Sequence, residues 1–97
     1  MAYDPGAIDA TLSAAVGDDP ALVAELREAF LNSAKAGLQA LERSDSDDDW
    51  REAALRLKGL AASFGAVRLM ALAAETAHGP AHDPGLMRRA RRAIARL

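Results

Sequence analysis

A chain of 97 residues with 51% hydrophobic and 4% aromatic side chains and a formal net charge of −2 has room for one core, burying about two-thirds of its unfolded surface. One domain over residues 1–97 is therefore expected. Abundant alanine and scarce aromatics favour packed helices over β-branched strands, and the absence of cysteine excludes disulfides and thiolate chemistry. No run could span a bilayer, and the start, Met1-Ala2-Tyr3-Asp4-Pro5, lacks the basic flank and apolar stretch of a secretory signal. A soluble cytoplasmic protein without a membrane partner is the expectation.

Asp4-Pro5 opens a first short helix near residues 5–16, in which Ile8, Leu12 and Ala15 or Val16 recur at helical spacing and Gly17 stops the run. Asp18 or Asp19 caps a long second helix over about 19–43, with Pro20 in its first turn. Its apolar stripe is Leu22, Leu26, Phe30, Ala34 or Gly37, and Leu41. Ser44 to Asp48 is a polar break, and its aspartates suit the positive N-terminal end of a third helix over 48–64. Gly65 ends that helix, and a fourth over 66–77 turns Leu69, Leu72 and Ala73 inward. After the break at His78-Gly79-Pro80, Asp83-Pro84 starts a last helix with Leu86, Ala90, Ile94 and Leu97 inside and arginines outside. Short connections imply antiparallel neighbours. The expected fold is all-α, an antiparallel four-helix up-down bundle with an additional short N-terminal helix.

At about 100° per residue, Trp50, Ala53, Ala54, Leu57, Leu60, Ala61 and Phe64 share one side of the third helix, its core side. Leu55 falls almost opposite, with Glu52, Gly59 and Ala62 on the same outer face and Lys58 near its edge. Periodicity alone thus predicts an exposed leucine followed one turn later by a glycine. Glycine inside a helix costs about 1 kcal/mol relative to alanine, so it usually has a packing or access reason.

The run Leu55-Arg56-Leu57-Lys58-Gly59, followed by Ser63-Phe64-Gly65-Ala66, resembles the motif of histidine-containing phosphotransfer domains, which reads His-x-Leu-Lys-Gly and then an apolar residue with Gly-Ala or Gly-Leu. Gly17-Asp18-Asp19-Pro20 before a long helix, Phe30-Leu31 within it and Asp49-Trp50 ahead of the motif extend the resemblance over nearly the whole chain. Leu55 stands at the phosphoryl-acceptor position, and leucine has no nucleophilic atom. The resemblance implies a pseudo-phosphotransfer protein: no enzyme, no catalytic residue and no cofactor. Its partner would be a response-regulator receiver domain or a hybrid histidine kinase, regulated by binding. In the family the glycine clears space for the partner and the lysine assists the phosphoryl group, positions matched by Gly59 and Lys58. Leu55, Lys58, Gly59, Ala62 and Glu52 are the partner-binding candidates, extended by the second helix.

Plainer readings stand beside this one. A lone exposed leucine is ordinary on a protein surface, and Leu55 packed against a second copy would make a structural homodimer or scaffold. Arg88, Arg89, Arg91, Arg92 and Arg96 on the last helix could neutralise nucleic-acid phosphates. The acidic middle, Asp45, Asp47, Asp48, Asp49 and Glu52, and the few aromatics oppose that reading. His78 and His82 are separated by Gly79-Pro80 with only Asp83 nearby, a poor metal set. No metal site is expected.

Overall fold

The computed structural model describes residues 5–17 and 19–97, so Asp4 and Asp18 lie outside the described residues. The architecture is all-α: α1 (Pro5–Val16), α2 (Pro20–Arg43), α3 (Asp47–Ser63), α4 (Val67–His78) and α5 (Pro84–Ala95), with no strand among the described residues. Packed pairs are α1 with α2, α2 with α3, α3 with α4, α4 with α5, and α5 with α2. The last four helices thus form a closed ring of neighbours. At 1.5 Å per residue the 24-residue α2 is about 36 Å long, which sets the 42 Å long axis of the molecule.

Local chemistry fixes the helix ends. Gly17 adopts φ 79° after α1, a left-handed conformation that costs other L-residues about 1–2 kcal/mol. The Asp19 carboxylate accepts from the N–H groups of Ala21 and Leu22 to cap α2. Ser46 caps α3 by accepting from Asp49 N–H at 3.1 Å, and Asp47, Asp48 and Asp49 fill its first turn, where negative charge meets the positive helix end. At the other end of α3, Gly65 has φ 71°, Gly65 N–H reaches Ala62 O and Ala66 N–H reaches Ala61 O. That pair of bonds is a Schellman closure, and it turns the chain into α4 within three residues. Asp83 caps α5 through Leu86 N–H at 3.0 Å, with Pro84 in the first turn.

The core runs through all five helices and is anchored by Ile8, Leu12, Phe30, Leu41, Trp50, Leu57, Leu69 and Ile94. Phe30 of α2 stacks on Phe64 at the end of α3 with ring centroids 4.8 Å apart. One expectation is corrected and one core residue is added. Leu22 is exposed, because Val23 and Leu26 take the inward positions at the start of α2. Met87 is buried beside Leu86, because α5 lies against both α2 and α4 and so needs a broader apolar stripe than one neighbour would demand. No helix of the described residues is long and apolar enough to cross a membrane.

Candidate functional site

The core side of α3 is as its periodicity requires: Trp50, Ala53, Ala54, Leu57 and Ala61 are buried, with Leu60 and Phe64 partly so. Turning that face inward forces its complement outward. Leu55 is 47% exposed, and Glu52, Lys58, Gly59 and Ala62 are all exposed around it. The five residues therefore share one solvent face. Leu55 is one of three large apolar side chains exposed among the described residues, with Leu22 and Val67, which sit at the starts of α2 and α4.

The surroundings of Gly59 are empty: a Cβ built there would meet nothing within 4 Å. No internal packing requires this glycine, unlike Gly37, whose Cβ would approach Leu57 Cδ1 to 3.1 Å. An exposed mid-helix glycine without an internal reason leaves the backbone open to close approach from outside. Glu52 pairs with Arg56 one turn later at 2.7 Å, a surface pair worth about 0.3–0.5 kcal/mol. Lys58 has no ion pair among the described residues. The face is thus a leucine and two small residues between a free cation and a self-neutralised pair.

A cleft between α2 and α3 adjoins this face, lined by Ala36, Gly37 and Ala40 on one side and Ala53, Arg56 and Leu60 on the other. Arg56, about 100° round the helix from Leu55, belongs to both surfaces. Leu55 does not line the cleft. The arrangement offers shape and apolar contact; it offers no nucleophile and no acid–base pair at residue 55.

The other sequence candidates fall elsewhere. His82 Nε2 lies 2.7 Å from the Ser44 carbonyl oxygen and 3.1 Å from Ser44 Oγ. A carbonyl only accepts, so Nε2 carries the proton and donates. The ring also tilts against Trp50 at a centroid distance of 5.3 Å. This histidine fastens the α4–α5 connection to the end of α2, while His78 is exposed at the end of α4. No cluster of three or more metal-binding side chains occurs among the described residues. The basic helix is partly neutralised: Arg89 forms a double bond-pair with Glu75 at 2.7 Å per contact, and Arg91 reaches Glu42.

The chain matches no protein-family model, no curated protein and no solved structure.

Proposed function

We propose that this chain is a non-catalytic pseudo-histidine-phosphotransfer protein that binds a response-regulator receiver domain, free or within a hybrid kinase, and regulates it without carrying phosphate. The observation that carries this reading is the pairing of an outward Leu55 with Gly59 one turn away, a glycine that nothing inside the molecule requires. Together with Lys58, they occupy the positions that the resembled motif gives to its acceptor, glycine and lysine. Removing the exposed half of Leu55 from water in a partner contact contributes up to about 1.5 kcal/mol.

The family-like architecture, α2 to α5 as an antiparallel up-down bundle with α1 added, is part of the same proposal. The closed ring of helix contacts supports it. So do two end-to-end ties: the start of α3 meets the end of α4 through Trp50 and Thr76, and the approach to α5 meets the end of α2 through His82 and Ser44.

Affinity capture from the source cell's lysate with wild type and a folded Leu55→Arg variant tests the function. Recovery of a receiver or hybrid kinase with wild type alone supports it. Equal recovery by both, or no phosphorelay protein with either, overturns it and leaves a helical scaffold as the better account.

A further inference from the structure

A second surface lies between α4 and α5. There a cleft of about 190 Å³ is bordered by Arg68, Arg89, Arg92 and Arg96 over an apolar floor that includes Leu69, Leu72, Ala93 and Leu97. We infer that this cleft binds a small organic anion, with a carboxylate or phosphate head held by the arginines and a ring-sized apolar body seated on the floor.

Three observations lead there. First, no acidic side chain lines the cleft, and only one of its four arginines is neutralised: Arg89 is committed to Glu75, whereas Arg68, Arg92 and Arg96 have no hydrogen bond or ion pair among the described side chains. Planar guanidinium groups match the two oxygens of a carboxylate or phosphate. Second, the charges surround apolar side chains, so a bare ion would leave the floor wet and a neutral hydrocarbon would leave the cations unanswered. Third, the size suits a ring: a cavity of about 150 Å³ accepts benzene, and this open cleft is of the same order. Nucleic acid makes poorer use of it, because a phosphodiester backbone spreads its charges along a strand and has nothing to place on Leu72 and Leu97.

The favourable position of Arg92 and Arg96 near the C-terminal end of α5 accounts for their sign. It does not account for Arg68, which reaches the same cleft from the first turn of α4. The cleft is separate from the Leu55 face: no residue of α3 lines it. Either surface could therefore fail its test without the other.

The test is an NMR titration of the isotope-labelled chain with phenylacetate and phenyl phosphate. Acetate and inorganic phosphate serve as heads without a body, and phenylacetamide as a body without a charge. Amide shifts confined to residues 66–72 and 89–97 are expected for phenylacetate or phenyl phosphate. Binding should be about tenfold weaker for the bare ions, from the lost apolar contact, and about tenfold weaker or more in the doubly substituted Arg92→Gln, Arg96→Gln chain. Both substitutions are on exposed positions, and circular dichroism checks that the helices persist. Acetate binding as tightly as phenylacetate, unchanged binding in the double variant, or shifts spread equally to arginines away from the cleft, such as Arg43, Arg51 and Arg88, would overturn the inference. So would a single-stranded oligonucleotide shifting these residues when neither aromatic anion does.

Discussion

The indole N–H of Trp50 donates to the main-chain oxygen of Thr76 at 2.8 Å, joining the first turn of α3 to the last turn of α4. Both residues are essentially fully buried. The Thr76 hydroxyl in turn donates to Leu72 O at 2.7 Å, so each polar group brought into this part of the core has a partner. The tie pins the start of α3, the helix that carries Leu55, to the end of α4.

Trp50→Phe removes the donor and part of the ring. The Thr76 oxygen keeps the Gly79 N–H at 3.2 Å, so it is not left unsatisfied. The expected loss is about 2 kcal/mol, one hydrogen bond and a small cavity, or about 10 °C in Tm. Thermal unfolding followed by circular dichroism measures it, and a change under about 0.5 kcal/mol would deny the tie its structural weight.

Gly79 and Leu86 are packed too closely for a side chain between them. A Cβ at residue 79 would lie 2.3 Å from Leu86 Cδ1, and Leu86 is buried. Gly79→Ala should destabilise by about 1–3 kcal/mol through overpacking, read as a shift of the urea midpoint without a change in slope.

Gly59→Ala should do the opposite to stability. With open space around residue 59, relief of the mid-helix glycine stabilises by about 0.5–1 kcal/mol. If a partner approaches the backbone here, the same methyl group weakens its binding. A chain that becomes more stable and binds less well separates a docking role from a folding role; a stabilised variant with unchanged binding would remove Gly59 from the interface.

The Glu75 carboxyl is held below its ordinary value, first by the Arg89 hydrogen bonds and further by the guanidinium charge, while desolvation opposes both. A depressed carboxylate contributes stability in full above its unfolded value and loses it as pH falls through the lowered folded value. Wild type should therefore be more stable than Glu75→Gln at neutral pH, and the two should converge in acid below the usual carboxylate range. Urea titrations across that range check it. A gap that persists in strong acid would mean that packing, not charge, separates the two proteins. Because the pair is exposed, added salt should narrow the gap at neutral pH.

Leu55→His restores an acceptor without touching the core. An intact docking face should then take phosphate from a phosphorylated receiver: the acyl-phosphate P–O bond breaks as a P–N bond to imidazole forms. Acid-labile label should appear on the variant and be absent from wild type. Failure with every receiver tried would count against the face being a phosphorelay surface.

Much of this geometry is legible in the chain because it is set locally. Gly17, Gly65 and the Asp83-Pro84 pair mark real ends, and the spacing of Trp50, Leu57 and Ala61 orients α3 and hence Leu55. What escapes depends on neighbours distant in sequence. Met87 is buried because α5 has two flanks to cover, and His82 adopts φ 59° while bonding to Ser44, 38 residues away. The arginines of α5 read as a solvated face from periodicity alone. Their meeting with Arg68 over Leu72 is set by the packing of α4 against α5, although the interleaving of Arg92, Ala93, Arg96 and Leu97 is a local hint of a basic rim around an apolar strip.

The central claim, that the Leu55 face binds a receiver domain, is tested most directly by NMR titration of the labelled chain with purified receiver domains from the same cell. Wild type and Leu55→Arg are compared side by side. The account predicts that one receiver shifts the signals of Glu52, Leu55, Lys58, Gly59 and Ala62, and that Leu55→Arg abolishes the effect while Tm stays within about 2–4 °C. Receivers that leave this face unperturbed, or that bind Leu55→Arg as well as wild type, would contradict it.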